Sequence, residues 1–334
     1  MSAPTAAAVR RFGAPSLARH ASVVPSLAAV VIFAALLIGA QLYFGDFVNP
    51  RVLSALLLDN AFLLILAVGM TFVILTGGID LSVGSVLALT GILGARMLAA
   101  DLSPALVVPV MILCGAVIGL LIGILVQYFD VQPFIASLAG LFLARGLPFV
   151  VSLKSIKVEN ESVLWLQSTR WRLGDWYLTP TGILALSVVA VGAFVLAFTR
   201  FGRTIYAIGG NEQSARLMGL DVARTKVLTY VISGVCSGLG GLVLTAYSGA
   251  GYPRNGIGTE LDVIAAVVIG GTLLSGGTGY VLGSMLGVFV YGTIKTVISF
   301  KGAEQAWMQI TVGLLLLFFI VVQRVIVSRS ERRR

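Results

Sequence analysis

The stretch AVGMTFVILTGGIDLSVGSVLAL (67–89) is apolar in every direction around its axis except where TGGIDLS (76–82) interrupts it. A barrel strand would alternate polar and apolar residues over about ten positions; this run does not, so it reads as two membrane helices joined at a glycine pair. A second copy lies farther along the chain. LTGGIDLSVGSVLAL (75–89) aligns with LSGGTGYVLGSMLGV (274–288), and six of the fifteen positions are identical, including the Gly pair and the Gly-Ser that follows. Paired breaks in corresponding halves mark transporter folds, where interrupted helices offer backbone polar groups to a central path. Most of the 39 glycines serve close helix packing. Gly77, Gly78, Gly276 and Gly277 are the expected hinges.

Outward from these breaks the chain is uniform. Hydrophobic residues make up 58% and charged residues 11%, against roughly 25% charged in a soluble domain. Apolar runs fall at 24–44, 53–76, 81–99, 104–128, 131–152, 181–199, 226–250, 261–275, 279–299 and 305–327. A bilayer core about 30 Å thick takes about 20 apolar residues per helix. The expected fold is therefore an all-α integral membrane protein of about ten transmembrane helices, with Gly-broken helix pairs and an internal repeat. Only 153–180 and 200–225 are long enough to be folded connections. The domain plan is a basic tail (1–23), one membrane domain (24–327) and a second basic tail (328–334). No small-residue cleavage pattern follows the first run, which reads as a retained helix.

The net charge of +9 is explained by the membrane and not by nucleic acid, because basic residues gather on the cytoplasmic side. With the N-terminus inside, Arg10, Arg11, Arg19, the 200–226 connection and the C-terminal arginines put thirteen cations inside; seven lie outside and Arg96, Arg145 and Lys295 fall within spans. Both termini are thus placed in the cytoplasm. Arg96, Arg145 and Lys295 are read as snorkelling to an outer interface, without function. Trp165, Trp171, Trp176 and Tyr177 in the outer connection suit interface anchoring or an external docking surface.

Several chemistries lack raw material. No GxxxxGK[ST] loop exists, so the chain hydrolyses no ATP by itself. His20 is the single histidine, which excludes a His-based metal cluster and a Ser/His/Asp set, and no metal or cofactor is expected. Cys114 and Cys236 sit in separate apolar runs and read as small core residues, not a disulfide.

The polar residues inside runs are then the candidates. Asp80 follows the first glycine pair; it reads either as a cap on a helix beginning at Leu81 or as part of a solute path, since a buried carboxylate must be paired or solvated. Asp59 and Asn60 lie deep in the second run, where a polar cavity would account for them. Asn60, Thr71, Asp80, Ser82, Ser85, Thr272 and Ser275 are the candidate path residues. In NEQSARLMGLD (211–221), Asn211 serves as N-cap and Gly219 as stop of a short helix. Such an element either pushes against a soluble partner or rests on lipid phosphates.

AVGMTFVILTGGIDLSVGSV (67–86), RFGRTIYAIGGN (200–211) with SARLMG (214–219), and DVIAAVVIGGTLLSGGTG (262–279) resemble the permease subunits of the ribose, xylose, arabinose and galactofuranose ABC importers. The likeness runs from about Asp59 to Arg324. DNAFLLILAVGMTFVILTGGIDLSVGS and ELDVIAAVVIGGTLLSGG look closest to one of the two permease subunits of the galactofuranose importer. The resemblance implies a multi-pass protein of the bacterial inner membrane. It also implies a second permease subunit, identical or homologous, two cytoplasmic ABC ATPase subunits and a periplasmic sugar-binding protein. It places ATPase coupling in the loop holding Gly210, Asn211, Ser214, Ala215 and Gly219; the first Glu of the usual pattern falls on Gln213, a departure. The alternative is an ion-coupled secondary transporter of a small polar solute, with Asp59 or Asp80 carrying the ion.

Overall fold

The computed structural model describes residues 16–302 and 305–331, and side chains over 29–302 and 306–321. Arg10, Arg11, Arg332, Arg333 and Arg334, which entered the charge count, lie outside the described residues, as do the side chains of Arg19, His20, Arg324 and Arg329. The helices in order are α1 (Ser16–Phe44), α2 (Pro50–Asp59), α3 (Ala61–Leu75), α4 (Val83–Leu98), α5 (Pro104–Tyr128), α6 (Pro133–Val151), α7 (Glu161–Ser168), α8 (Pro180–Phe198), α9 (Arg200–Gly210), α10 (Glu212–Leu217), α11 (Val222–Ser248), α12 (Thr259–Ile269), α13 (Val281–Phe300) and α14 (Gln305–Glu331). Two small antiparallel pairs, β1 (Ile156–Lys157) with β4 (Ala250–Gly251) and β2 (Trp171–Leu173) with β3 (Trp176–Leu178), decorate one end.

The helix starts follow from local chemistry. α2, α5, α6 and α8 each open on a proline, whose missing N–H has no partner to lose at that position. Asn49, Ser103 and Thr179 stand just before three of them and accept hydrogen bonds from Val52 N, Ala105 N and Gly182 N.

Among the described residues five helices are long and apolar enough to cross a membrane: α5, α6, α8, α11 and α13. α2 and α3, bent by 55° at Asn60, form a sixth span if taken together. Segments 29–44, 83–98 and 306–321 are apolar but shorter. Every one of the ten apolar runs holds helix, yet the run 261–275 does not hold a full span. α12 stops at Ile269 after 11 residues, about 16 Å at 1.5 Å per residue, roughly half a bilayer core. The cause is Gly270-Gly271, where Gly271 takes φ +94° and the ladder closes into a tight turn. The connections 249–258 and 270–280 are therefore long and structured, where the sequence predicts tight links.

α3 is the central post. All of its residues except Phe62 are buried, enclosed by α8, α11, α12 and α13. α5 lies against α11 through facing glycines: Gly115, Gly119 and Gly123 on α5 meet the backbone of α11 around Val227, Tyr230 and Gly234. A Cβ on Gly123 would stand 3.0 Å from Val227 Cα. Such small-residue ridges bring helix backbones together where no hydrophobic effect drives association. The outward faces of α5, α6 and α8 carry exposed Leu113, Leu121, Phe142, Val191 and Phe194, suited to lipid.

Candidate functional site

The two aligned glycine segments are also aligned in space. Gly77 and Gly276, equivalent in the repeat, take φ +79° and +84°. α4 restarts at Val83 and α13 at Val281, within one residue of the aligned position. The breaks touch each other: Gly277 N donates to Leu75 O at 2.9 Å, and a Cβ on Gly276 would lie 2.8 Å from Gly77 N. α9 closes onto the same point. A Cβ on Gly209 would lie 2.8 Å from Gly277 Cα and nearer still to Leu75 O, so only glycine lets α9 seat there. Tyr206 Oη fastens it by donating to Gly279 O at 2.8 Å. Gly78 faces the Tyr230 hydroxyl of α11, 2.5 Å from where its Cβ would be.

Above this joint sits Asp80, buried. Its Oδ1 accepts from Ser82 N at 2.9 Å and Ser82 Oγ at 2.6 Å, and its Oδ2 accepts from Ser233 Oγ at 2.7 Å. α4 begins at Val83 and not at Leu81, so Asp80 braces the turn before it. Ser233 is the twelfth residue of the 27-residue α11; the start of α4 thus lies midway along a full-length helix. α12 starts at the same height, because Gly256 backs onto the Gly84 carbonyl and Glu260 onto Gly84. Two helix N-termini, each with a partial positive charge, therefore converge in mid-span.

Arg145 enters this meeting point from α6. It donates to Asn255 O at 2.8 Å and Gly256 O at 3.2 Å, and stands 3.9 Å from Glu260 Oε2. The two side chains are only 18% and 13% exposed. Arg145 does not snorkel to an interface: two carbonyl acceptors and the nearby Glu260 carboxylate hold it inside.

The path candidates form separate groups. Thr71 Oγ1 donates to Ala67 O at 2.6 Å and shares a 2.7 Å bond with Ser284 Oγ, the repeat partner of Ser85. Asn60 lies at the α2–α3 bend, donating to Leu56 O at 2.8 Å with its amide against Gly292. Asp80 and Ser82 share the Ser233 network. Ser85 Oγ and Thr272 Oγ1 are buried without a hydrogen-bond partner, and Ser275 is exposed. Asp59 accepts from Tyr247 Oη at 3.0 Å near the surface. Ser233, Arg145 and Glu260 were missed by sequence reasoning. An ELD opening an apolar run at 260–262, and an arginine in the middle of another, were the available signals.

In the surface element, Asn211 caps α10 by accepting from Ser214 N at 2.7 Å, Ala215 is buried against Ile208 and Val222, and Gly219 takes φ +75°. Glu212 receives Arg216 at 2.6 Å and Lys226 at 3.1 Å. Partial burial pushes its carboxyl up, but the two cations outweigh this and hold it below the usual glutamate range. Gly210 and Ser214 face outward in the same turn. Beyond them Leu217 and Met218 protrude, 84% and 67% exposed. Among the described residues no group of acidic, cysteine or histidine side chains is placed to hold a metal.

Broken helices meeting in mid-span, lined by polar side chains and tied to a surface helix, define a membrane permease. Residues 52–320 match the family described as branched-chain amino acid transport system / permease component, and the chain belongs to that family. It is a transport subunit, not an enzyme. It is 45% identical over 294 residues to the inner membrane ABC transporter permease protein YjfF of Escherichia coli, covering 87% of this chain and 89% of that one. It is 43% identical to the fructose import permease FruG of Bifidobacterium longum over 312 residues, 91% and 92% of the two chains. The ribose import permease RbsC of Haemophilus influenzae is 39% identical over 262 residues, 77% and 80%. No solved structure matches the chain.

Proposed function

We propose that the chain is one permease half of an ATP-driven importer that carries a monosaccharide, galactofuranose, inward across the inner membrane. One observation carries the mechanism: both helix breaks and α9 meet backbone to backbone at Gly77, Gly277 and Gly209. A surface element joined in this way cannot shift without moving the breaks. Cytoplasmic ATPases grip the α9–α10 element, with the protruding Leu217 and Met218 as the apolar contact, and ATP-driven closure pulls on the joint. The mid-span meeting of α4 and α12 then opens inward. A second permease subunit completes the path, and a secreted sugar-binding protein delivers the solute at the 153–180 side. This orientation puts both termini in the cytoplasm and makes 24–327 one functional unit.

The sugar assignment draws on relatives named for fructose and ribose, and galactofuranose on the likeness in 59–85 and 260–277. The path residues fit a neutral polyhydroxylated solute. Asn60, Thr71, Ser82, Ser85 and Thr272 supply uncharged hydrogen-bonding groups, while the charges of Arg145 and Glu260 cancel locally.

Co-purification from native membranes followed by mass spectrometry should recover an ATPase, a second permease and a binding protein. The complex in liposomes should then accumulate labelled galactofuranose only with ATP and binding protein. Leucine uptake in place of sugar uptake would overturn the solute class. Accumulation by the isolated chain on an ion gradient would overturn the ATP-driven mechanism.

A further inference from the structure

α8, α9 and the second break enclose an open trough of about 760 Å³, a size within the about 300–1,000 Å³ of small-molecule sites, and its rim carries exposed Phe194, Phe198 and Leu282. Its composition changes along its length. At the end near the α8–α9 junction it is lined by Arg203 and Tyr206; toward the middle of α8 it is lined by Ala193, Phe194 and Leu282. Its floor is the break itself, where Gly279 O already accepts from Tyr206.

Two properties of the trough identify its occupant. α8 is a spanning helix that ends at Phe198, and α9 is a separate helix beginning at Arg200 whose buried face is Gly202, Ile205 and Ile208. The cationic end therefore lies at the membrane boundary and the apolar end inside, the polarity order of an amphiphile standing in a bilayer. The side chain of Arg203, exposed, makes no hydrogen bond or ion pair among the described residues, so its guanidinium is uncommitted and can clamp two oxygens of a phosphate. Arg200 beside it adds a second cation and disfavours a headgroup that carries its own positive amine.

We infer that this trough is a binding site for an anionic phospholipid: the phosphate on Arg203, the headgroup at the α8–α9 corner and one acyl chain along Phe194 and Leu282. The bound chain packs against Thr278 and Gly279 and braces the second break. A covering second copy of the protein would leave Arg203 without a counter-charge, because the trough presents no carboxylate to return the contact.

Native mass spectrometry of the full-length chain, offered phosphatidylglycerol and phosphatidylethanolamine of matched acyl chains, tests it. Phosphatidylglycerol should be retained at least tenfold more, and Arg203→Gln, an exposed change that leaves the fold intact, should remove the preference. Amide exchange over 276–280 should slow when phosphatidylglycerol is added to the wild type and not to the variant. A photo-crosslinking residue at position 194 should label lipid. Equal retention of the two lipids, a preference that survives Arg203→Gln, or crosslinking of position 194 to a second copy of the chain would each overturn the site.

Discussion

Asp80 is a carboxylate with three donors and, among the described residues, no cation paired to it. The start of α4 lies three residues on, where unpaired N–H groups concentrate positive potential beside the carboxyl. Asp80→Leu strands two serine hydroxyls and an amide and should lower stability by about 2–5 kcal/mol, while Asp80→Asn, which still accepts, should cost about 1 kcal/mol. Thermal unfolding of the purified chain in detergent checks the ranking. ATP-driven uptake surviving in Asp80→Asn would also dismiss a proton-carrying role for this residue. Arg145 presents the opposite problem. Removing it in Arg145→Ala leaves Glu260 buried and unpaired beside two abandoned carbonyls, a loss of about 3–5 kcal/mol, whereas Glu260→Gln keeps both carbonyl bonds and should cost less. A larger loss for Glu260→Gln in the same assay would show that the carbonyl contacts matter little.

The element whose behaviour is most open to test is α9–α10. Gly209→Val would push a branched side chain into the Leu75 carbonyl and the Gly277 backbone. The expected result is faster amide exchange over 206–211 and at least a tenfold loss of uptake, with exchange in α5 and α11 unchanged. α10 is held differently, by the Glu212 contacts to Arg216 and Lys226. The folded-state carboxyl lies below the ordinary 4.5, so this stabilisation is present above the unfolded value and is lost as the pH falls through the folded one. Its size is small, under about 1 kcal/mol, because about a third of the glutamate side chain is exposed and solvent screens the pair. The protection factor over 212–218, that is, exchange corrected for its intrinsic slowing at low pH, should therefore fall as pH is lowered below 4.5, and Glu212→Gln should flatten that dependence. At this scale the sequence was informative about ends and silent about contacts. Asn211 as a cap and Gly219 as a stop follow from local backbone chemistry, which neighbours in the chain decide. That Gly209 touches Leu75 and Gly277 depends on segments more than 60 residues away, and no spacing rule encodes it.

For the whole molecule, the all-helical membrane class was legible because solvent imposes it: a run such as 104–128 has no alternative in hydrocarbon. The duplicated glycine segments gave the positions of both breaks. Span counting was less secure, since hydropathy registers that 261–275 is apolar and does not register that α12 stops at Gly270. The mid-span charges were obscured for a related reason: Arg145 and Glu260 belong to different runs, and their pairing is visible only once α6 and the 249–258 connection are brought together. The place where the two halves and the surface helix come together has its own implication. Gly77, Gly209, Gly276 and Gly277 contribute no side chains to it, so there is nothing there for mutation to adjust in small steps; the junction is either kept or lost. Any retuning of such a permease has to be written in the side chains that border the junction, of which Tyr206 on α9 and Tyr230 on α11 stand nearest.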